Sequence, residues 1–118
     1  MKSVLNMTGL FAGMILGVLF LRPLSADGAG DPAKGKAIYE KHCMACHGPQ
    51  GKGDGSTGKM LKPPAADFSS AVSRKKSDAE FREAIENGKP GTAMGPWKSQ
   101  LSPTDLNDVF AYVTTLRK

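Results

Sequence analysis

The chain has 118 residues, room for one domain, and a formal charge of +5 from 16 basic and 11 acidic residues. Its basic residues are scattered, with no aromatic–basic stripe among them, which gives no ground for nucleic-acid binding. The two cysteines, Cys43 and Cys46, are too close together to staple a fold and read instead as a site.

The N-terminus differs from the rest. Lys2 is followed by an uncharged run from Val4 to Leu21 in which only Asn6 and Thr8 are polar. Arg22, Pro23 and a small-residue stretch from Ser25 to Gly30 come next. These are the three regions of a secretory signal peptide, so residues 1–26 are expected to be removed after Ala26, leaving a domain of residues 27–118. The alternative is an uncleaved anchor. Those eighteen residues span about 27 Å as a helix, enough for a bilayer core, and Gly9, Gly13 and Gly17 form a double GxxxG pattern. Both readings export the domain, to a periplasmic location, with attachment to the inner membrane only if the segment is retained. Cleavage leaves 92 of the 118 residues, with 14 basic against 11 acidic, or +3. The six aromatics that remain, Tyr39, Phe68, Phe81, Trp97, Phe110 and Tyr112, make a small core that a buried apolar cofactor would help to complete.

Three helices are predicted. The first opens at Asp31-Pro32, a good cap followed by a first-turn proline, and runs into Cys43. Gly35 and Tyr39 share one of its faces, and the glycine permits close approach by another helix. From His47 to Asp67, glycines and prolines leave no apolar period and predict a loop. Ser77 with Glu80 is a capping box for the second helix, whose apolar face is Phe81, Ala84 and Ile85 and whose end is Asn87-Gly88. Lys89 to Gln100 is irregular. Ser102-Pro103 opens the third, with Leu106, Val109, Phe110, Val113 and Leu116 at helical spacing and Tyr112 beside them. Arg117 and Lys118 suit the negative end of that helix. No strand is predicted.

Cys43-Met44-Ala45-Cys46-His47 is the string that carries chemistry. CxxCH reads as a c-type haem attachment signal. Cysteines at i and i+3 on a helical turn point the same way and can form thioethers to two vinyl groups along one porphyrin edge. His47 is then placed to reach the iron. A redox dithiol would favour a strand before the motif, and a zinc site would need ligand pairs from two elements; neither is present in the pattern. For the other axial position, Met94 is preferred to Met60, because the small neighbours in Gly91-Thr92-Ala93-Met94-Gly95-Pro96-Trp97 let that loop lie flat on a ring. Met60, in a lysine-flanked stretch, reads as packing or exposed.

These residues, with the Gly51-Lys52-Gly53-Asp54-Gly55 loop, Pro63-Pro64 and the Gly35/Tyr39 and Val109/Tyr112 faces, resemble the class I mono-haem cytochromes c from about Asp31 to Leu116. The resemblance implies an all-α fold, the small cytochrome c fold, with three or more helices wrapped around one covalently bound haem c. It implies that the first and last helices cross, Gly35 and Tyr39 against Val109 and Tyr112. It implies that Pro63 or Pro64 offers a carbonyl to the second ring nitrogen of His47, and that Trp97 lies near the haem edge, bonding a propionate or packing in the core. His42 is expected to be solvated.

Gly53-Asp54-Gly55-Ser56-Thr57-Gly58 matches GxGxxG, but no buried strand leads into it, and its glycines are expected to let the loop turn tightly. Arg74, Lys75 and Lys76 read as a solvated stretch. Lys52, Lys89 and Lys98 read as solubilising surface or as a ring around an exposed haem edge that steers an acidic partner. Ligation by both His47 and Met94 leaves no open iron position, so the expected function is that of a monomeric one-electron carrier between donor and acceptor proteins, not an enzyme. One alternative is a cytochrome subunit anchored or docked in an oxidoreductase complex. Another is a haem enzyme or sensor with an open iron position.

Overall fold

The computed structural model describes residues 29–118, so the signal peptide or anchor expected over residues 1–26 lies outside the described residues. The elements in chain order are α1 (Pro32–His42), α2 (Met44–His47), a 3-10 turn (Gly58–Met60), α3 (Ala71–Lys75), α4 (Asp78–Asn87) and α5 (Pro103–Thr115). Among the described residues there is no strand, and no helix is long and apolar enough to cross a membrane.

The three expected helices start at their caps. Asp31 Oδ1 accepts from the N–H groups of Ala33 and Lys34, and Ser102 Oγ accepts from that of Asp105. At α4, Ser77 Oγ accepts from the Glu80 N–H at 3.2 Å while Glu80 Oε2 accepts from the Ser77 N–H at 2.6 Å, the reciprocal capping box. The short α3, which runs into the stretch read as solvated, was not expected; Ser70 caps it through the Ser73 N–H.

α1 crosses α5 at the largest helix–helix interface. Gly35 makes this possible: a Cβ there would lie 1.9 Å from the Asp108 carbonyl oxygen. Tyr39 and Val109 are fully enclosed at the crossing, and the Tyr39 and Tyr112 rings meet edge to face at 5.2 Å. Asp108 also reaches the start of α1, its Oδ1 accepting from the Asp31 N–H at 2.7 Å. Phe68, Phe81 and Val113 continue the core away from the crossing.

Arg117 does not serve its own helix end. Its guanidinium donates to the Ser73 and Lys76 carbonyls at the close of α3, pairs with Asp78 at 2.7 Å, and lies 3.9 Å over the Phe81 ring. The reason is that carbonyls at a helix end lack partners, and a planar fork of donors satisfies several at once.

The loop after α2 is tightly bonded. Gly53, Gly55 and Thr57 donate their N–H groups to the carbonyls of His47, Cys46 and Ala45, at 2.9, 3.2 and 3.0 Å. These are carbonyls at the end of a helix, where intrahelical partners run out. Gly58 closes the clasp, since a Cβ there would lie 1.9 Å from the Cys46 oxygen. The amides of the GxGxxG string are thus directed at the cysteine turn, as its glycines require, and not at a phosphate.

Two substitutions test these packings by denaturant unfolding. Gly35→Ala is expected to cost about 1–3 kcal/mol by overpacking the α1/α5 crossing. Ser77→Ala is expected to cost about 0.5–2 kcal/mol through loss of the α4 cap.

Candidate haem site

α2 is a single turn, positioned from outside. The Cys43 N–H donates to Tyr39 O at 2.8 Å and the His47 N–H to Cys43 O at 2.9 Å, so the turn hangs directly from α1. The buried Tyr39 hydroxyl then donates to the Gly48 carbonyl at 2.6 Å, just past His47. Burial, the largest influence on it, pushes the Tyr39 hydroxyl pKa well above the ordinary tyrosine value, so it stays a donor.

Cys43, Cys46 and His47 line one cavity of about 570 Å³ together with Met94, Pro63, Pro64 and Trp97. That volume falls within the range of roughly 300–1,000 Å³ usual for cofactor sites. Its walls include Phe68, Phe81, Ile85 and Val113, so the cavity borders the core directly. Met60 is 75% exposed and is not part of the lining.

The donor chemistry fits a covalently held haem. Cys43 and Cys46 are free thiols. Burial first, and then the neighbouring Cys46, pushes the Cys43 thiol up to about 11. A redox dithiol needs the opposite, a thiol depressed toward thiolate at neutral pH. His47 is shifted the other way: burial lowers its pKa, against the Ala66 carbonyl, so the neutral imidazole with a free lone pair is favoured. Phe68 stacks on the His47 ring at 4.6 Å and 25°.

The carbonyl facing His47 Nδ1 is that of Ala66, at 3.2 Å, and not that of Pro63 or Pro64. The register of the returning segment explains the correction. The Phe68 N–H donates to Gly51 O at 2.7 Å, and the Ala65 carbonyl packs on Gly53, which brings the Ala66 carbonyl over the ring. The two prolines remain as cavity wall.

The methionine loop is tied to α4. Lys89 N–H donates to Met94 O at 2.9 Å, and Thr92 Oγ1 both donates to Lys89 O and accepts from the Met94 N–H. Trp97 and Lys98 donate their N–H groups to Ile85 and Glu86 carbonyls at 3.1 Å each. Met94 is half-buried and faces the cavity from this loop.

Two lining residues were expected to be solvated. His42 is half-buried and lines the cavity, with its ring 5.1 Å from that of Trp97, so the expectation of a solvated side chain is corrected. Lys76 also lines it, half-buried where a solvated stretch was expected, and so does Lys89, read from the sequence as surface or as part of a ring around the haem edge. Nothing in the local pattern marks these positions, because each owes its place to a contact between segments distant in sequence.

Comparison with known proteins agrees with this geometry. The family described as cytochrome c oxidase, cbb3-type, subunit III matches residues 30–113. Cytochrome c-554(547) of Halothiobacillus neapolitanus is 31% identical over 91 residues, covering 75% of this chain and 100% of that protein. Dihydro-heme d1 dehydrogenase of Pseudomonas aeruginosa is 36% identical over 109 residues, 92% of this chain, but the chain spans only 19% of that protein's length. Among solved structures, the Kuenenia stuttgartiensis reducing HAO-like protein complex contains a similar chain, with TM-score 0.64 and 25% identity over 73% of this chain and 42% of that one. Matched across most of its described residues by that family, and along the full length of a small cytochrome, the chain belongs to the cytochrome c oxidase cbb3-type subunit III family of class I mono-haem c-type cytochrome domains, which carry haem c.

Proposed function

We propose that this cytochrome is a monomeric one-electron carrier outside the cytoplasm, acting between donor and acceptor proteins and catalysing no reaction of its own. The observation that carries the reading is the single cavity that gathers both cysteine thiols, His47 and Met94 against a wall of core side chains.

In this reading residues 1–26 direct export, to the periplasm, and residues 27–118 form the working domain. Haem c in the cavity supplies an iron couple that gains and loses one electron. Cys43 and Cys46 hold the porphyrin through thioether bonds. His47 offers Nε2 as one axial ligand, while its Nδ1–H is directed at the Ala66 carbonyl. That bond fixes the tautomer and raises ligand basicity. Met94 offers its thioether sulfur as the other ligand, which favours a higher reduction potential than harder donors would. Phe68, Phe81 and Val113 keep water away from the ring. With His47 and Met94 both committed to the iron, no position would remain for substrate, and the group would supply one-electron transfer only.

A second reading is supported by the family's description as an oxidase subunit and by the match to a short part of a dehydrogenase. Here the same domain docks in, or is anchored to, an oxidoreductase complex. Native-mass analysis of detergent extracts separates the two: a free carrier runs as a single small haem protein, and a subunit runs with its complex.

The assignment of the site is tested by mass and spectrum. Protein expressed with haem-maturation machinery is expected to gain the mass of one haem, and Cys46→Ala to lose one of the two thioether links. Met94→Ala is expected to lose the methionine-to-iron charge-transfer band, to bind carbon monoxide and to fall in reduction potential, whereas Met60→Ala keeps the wild-type spectrum. A Met94→Ala spectrum identical to wild type would remove Met94 from the iron.

A further inference from the structure

The porphyrin has a direction. The vinyl groups that take cysteine thiols lie along one edge, and the two propionate carboxylates lie along the opposite edge. Once Cys43 and Cys46 fix the first edge, the second must meet other elements of the cavity. Trp97, the propionate partner suggested by family resemblance, meets His42, the residue next to Cys43. That contact holds the indole against the last residue of α1, just before the cysteine turn.

The only ammonium groups that line the cavity, among the described residues, belong to Lys76 and Lys89. Lys76 caps the end of α3 and Lys89 follows α4, so both stand on elements other than those that carry the cysteines. We propose that Lys76 and Lys89 hold the haem propionates as paired counter-charges, and so set part of the haem's potential. The proposal rests on the haem assignment above.

Their surroundings support it. The Lys89 amine, first, and then burial hold the Lys76 amine below the ordinary lysine range. Two cations brought together in this way are unfavourable without an anion near them. Of the neighbouring acids, Glu80 lines the same cavity and offsets part of this charge, but its carboxylate is committed to the Ser77 N–H and hydroxyl, and Asp78 pairs with Arg117. Glu83 also lines the cavity and is exposed. Neither lysine takes part in an ion pair among the described residues. A porphyrin edge with two carboxylates supplies matching charge, as charge-assisted hydrogen bonds.

The test uses the mature holoprotein with Lys76→Gln, Lys89→Gln, the double variant, Trp97→Phe and, as a control, Lys59→Gln, an exposed lysine outside the cavity lining. The readouts are the midpoint potential and the propionate bending band in the resonance Raman spectrum. A cation beside the haem favours the reduced, less positive state, so each cavity variant is expected to lower the potential and shift the band. The double variant should do so more than either alone, and Lys59→Gln should do neither. A double variant with the wild-type band and potential overturns the proposal, as does a band that moves only in Trp97→Phe. If the glutamine variants mature poorly, Lys76→Arg and Lys89→Arg, which retain the charge, are expected to restore haem content and band; their failure as well overturns it. Wild-type protein without covalent haem would instead defeat the functional reading itself.

Discussion

Everything at this site depends on a four-residue helix that cannot stand alone. One turn fixes several backbone angles for a single hydrogen bond, so α2 has no stability of its own. Its shape is imposed from two sides. α1 feeds directly into it through the Tyr39 carbonyl, and the following loop takes the carbonyls of Ala45, Cys46 and His47 with three successive N–H groups. The Tyr39 hydroxyl adds a third tie at Gly48. The α1/α5 crossing, the glycine loop and the cysteine turn therefore form one body, and the orientation of both thiols and of the imidazole is a property of that body.

The cavity and the core are the same side chains seen from two directions. Phe68, Phe81 and Val113 pack with Tyr39 and Val109 on one side and line the cavity on the other. For so small a domain, an apolar group in that cavity is part of the hydrophobic interior and not an addition to it. A haem bonded to the chain stays on it when the domain unfolds, so what it adds to stability is the apolar burial and the ligation by distant residues that exist only in the folded state.

The helices were legible because their signals are local. Asp31-Pro32, Ser77 with Glu80, and Ser102-Pro103 mark helix starts through contacts spanning only a few residues. The α1/α5 crossing was expected from the family resemblance; the residues themselves offered the shared Gly35/Tyr39 face and a glycine that permits close approach. CxxCH carried its own chemistry in its spacing. What was not legible depended on where separate segments return. Ala66 in place of a proline, His42 against Trp97, Arg117 at the end of α3 and Lys76 beside Lys89 each join positions whose relative register no short pattern encodes. The α3 turn was hidden for another reason: five residues are too few to show a period, and its stability is borrowed from the Ser70 cap and the Arg117 fork.

The attachment of the methionine loop carries a mechanical asymmetry. The imidazole side of the cavity rides on α1, held by the broad crossing with α5. The sulfur side rides on the end of α4, through the bonds from Trp97 and Lys98 to Ile85 and Glu86, and α4 meets α5 over a far smaller area. Among the described elements α1 and α4 have no close backbone approach, so α5 is the main brace between the two walls, helped by the side-chain contacts of His42 with Trp97 and of Phe68 with Phe81. The Met94 side of the cavity is therefore the less firmly braced of the two, and the His47 side the more firmly held.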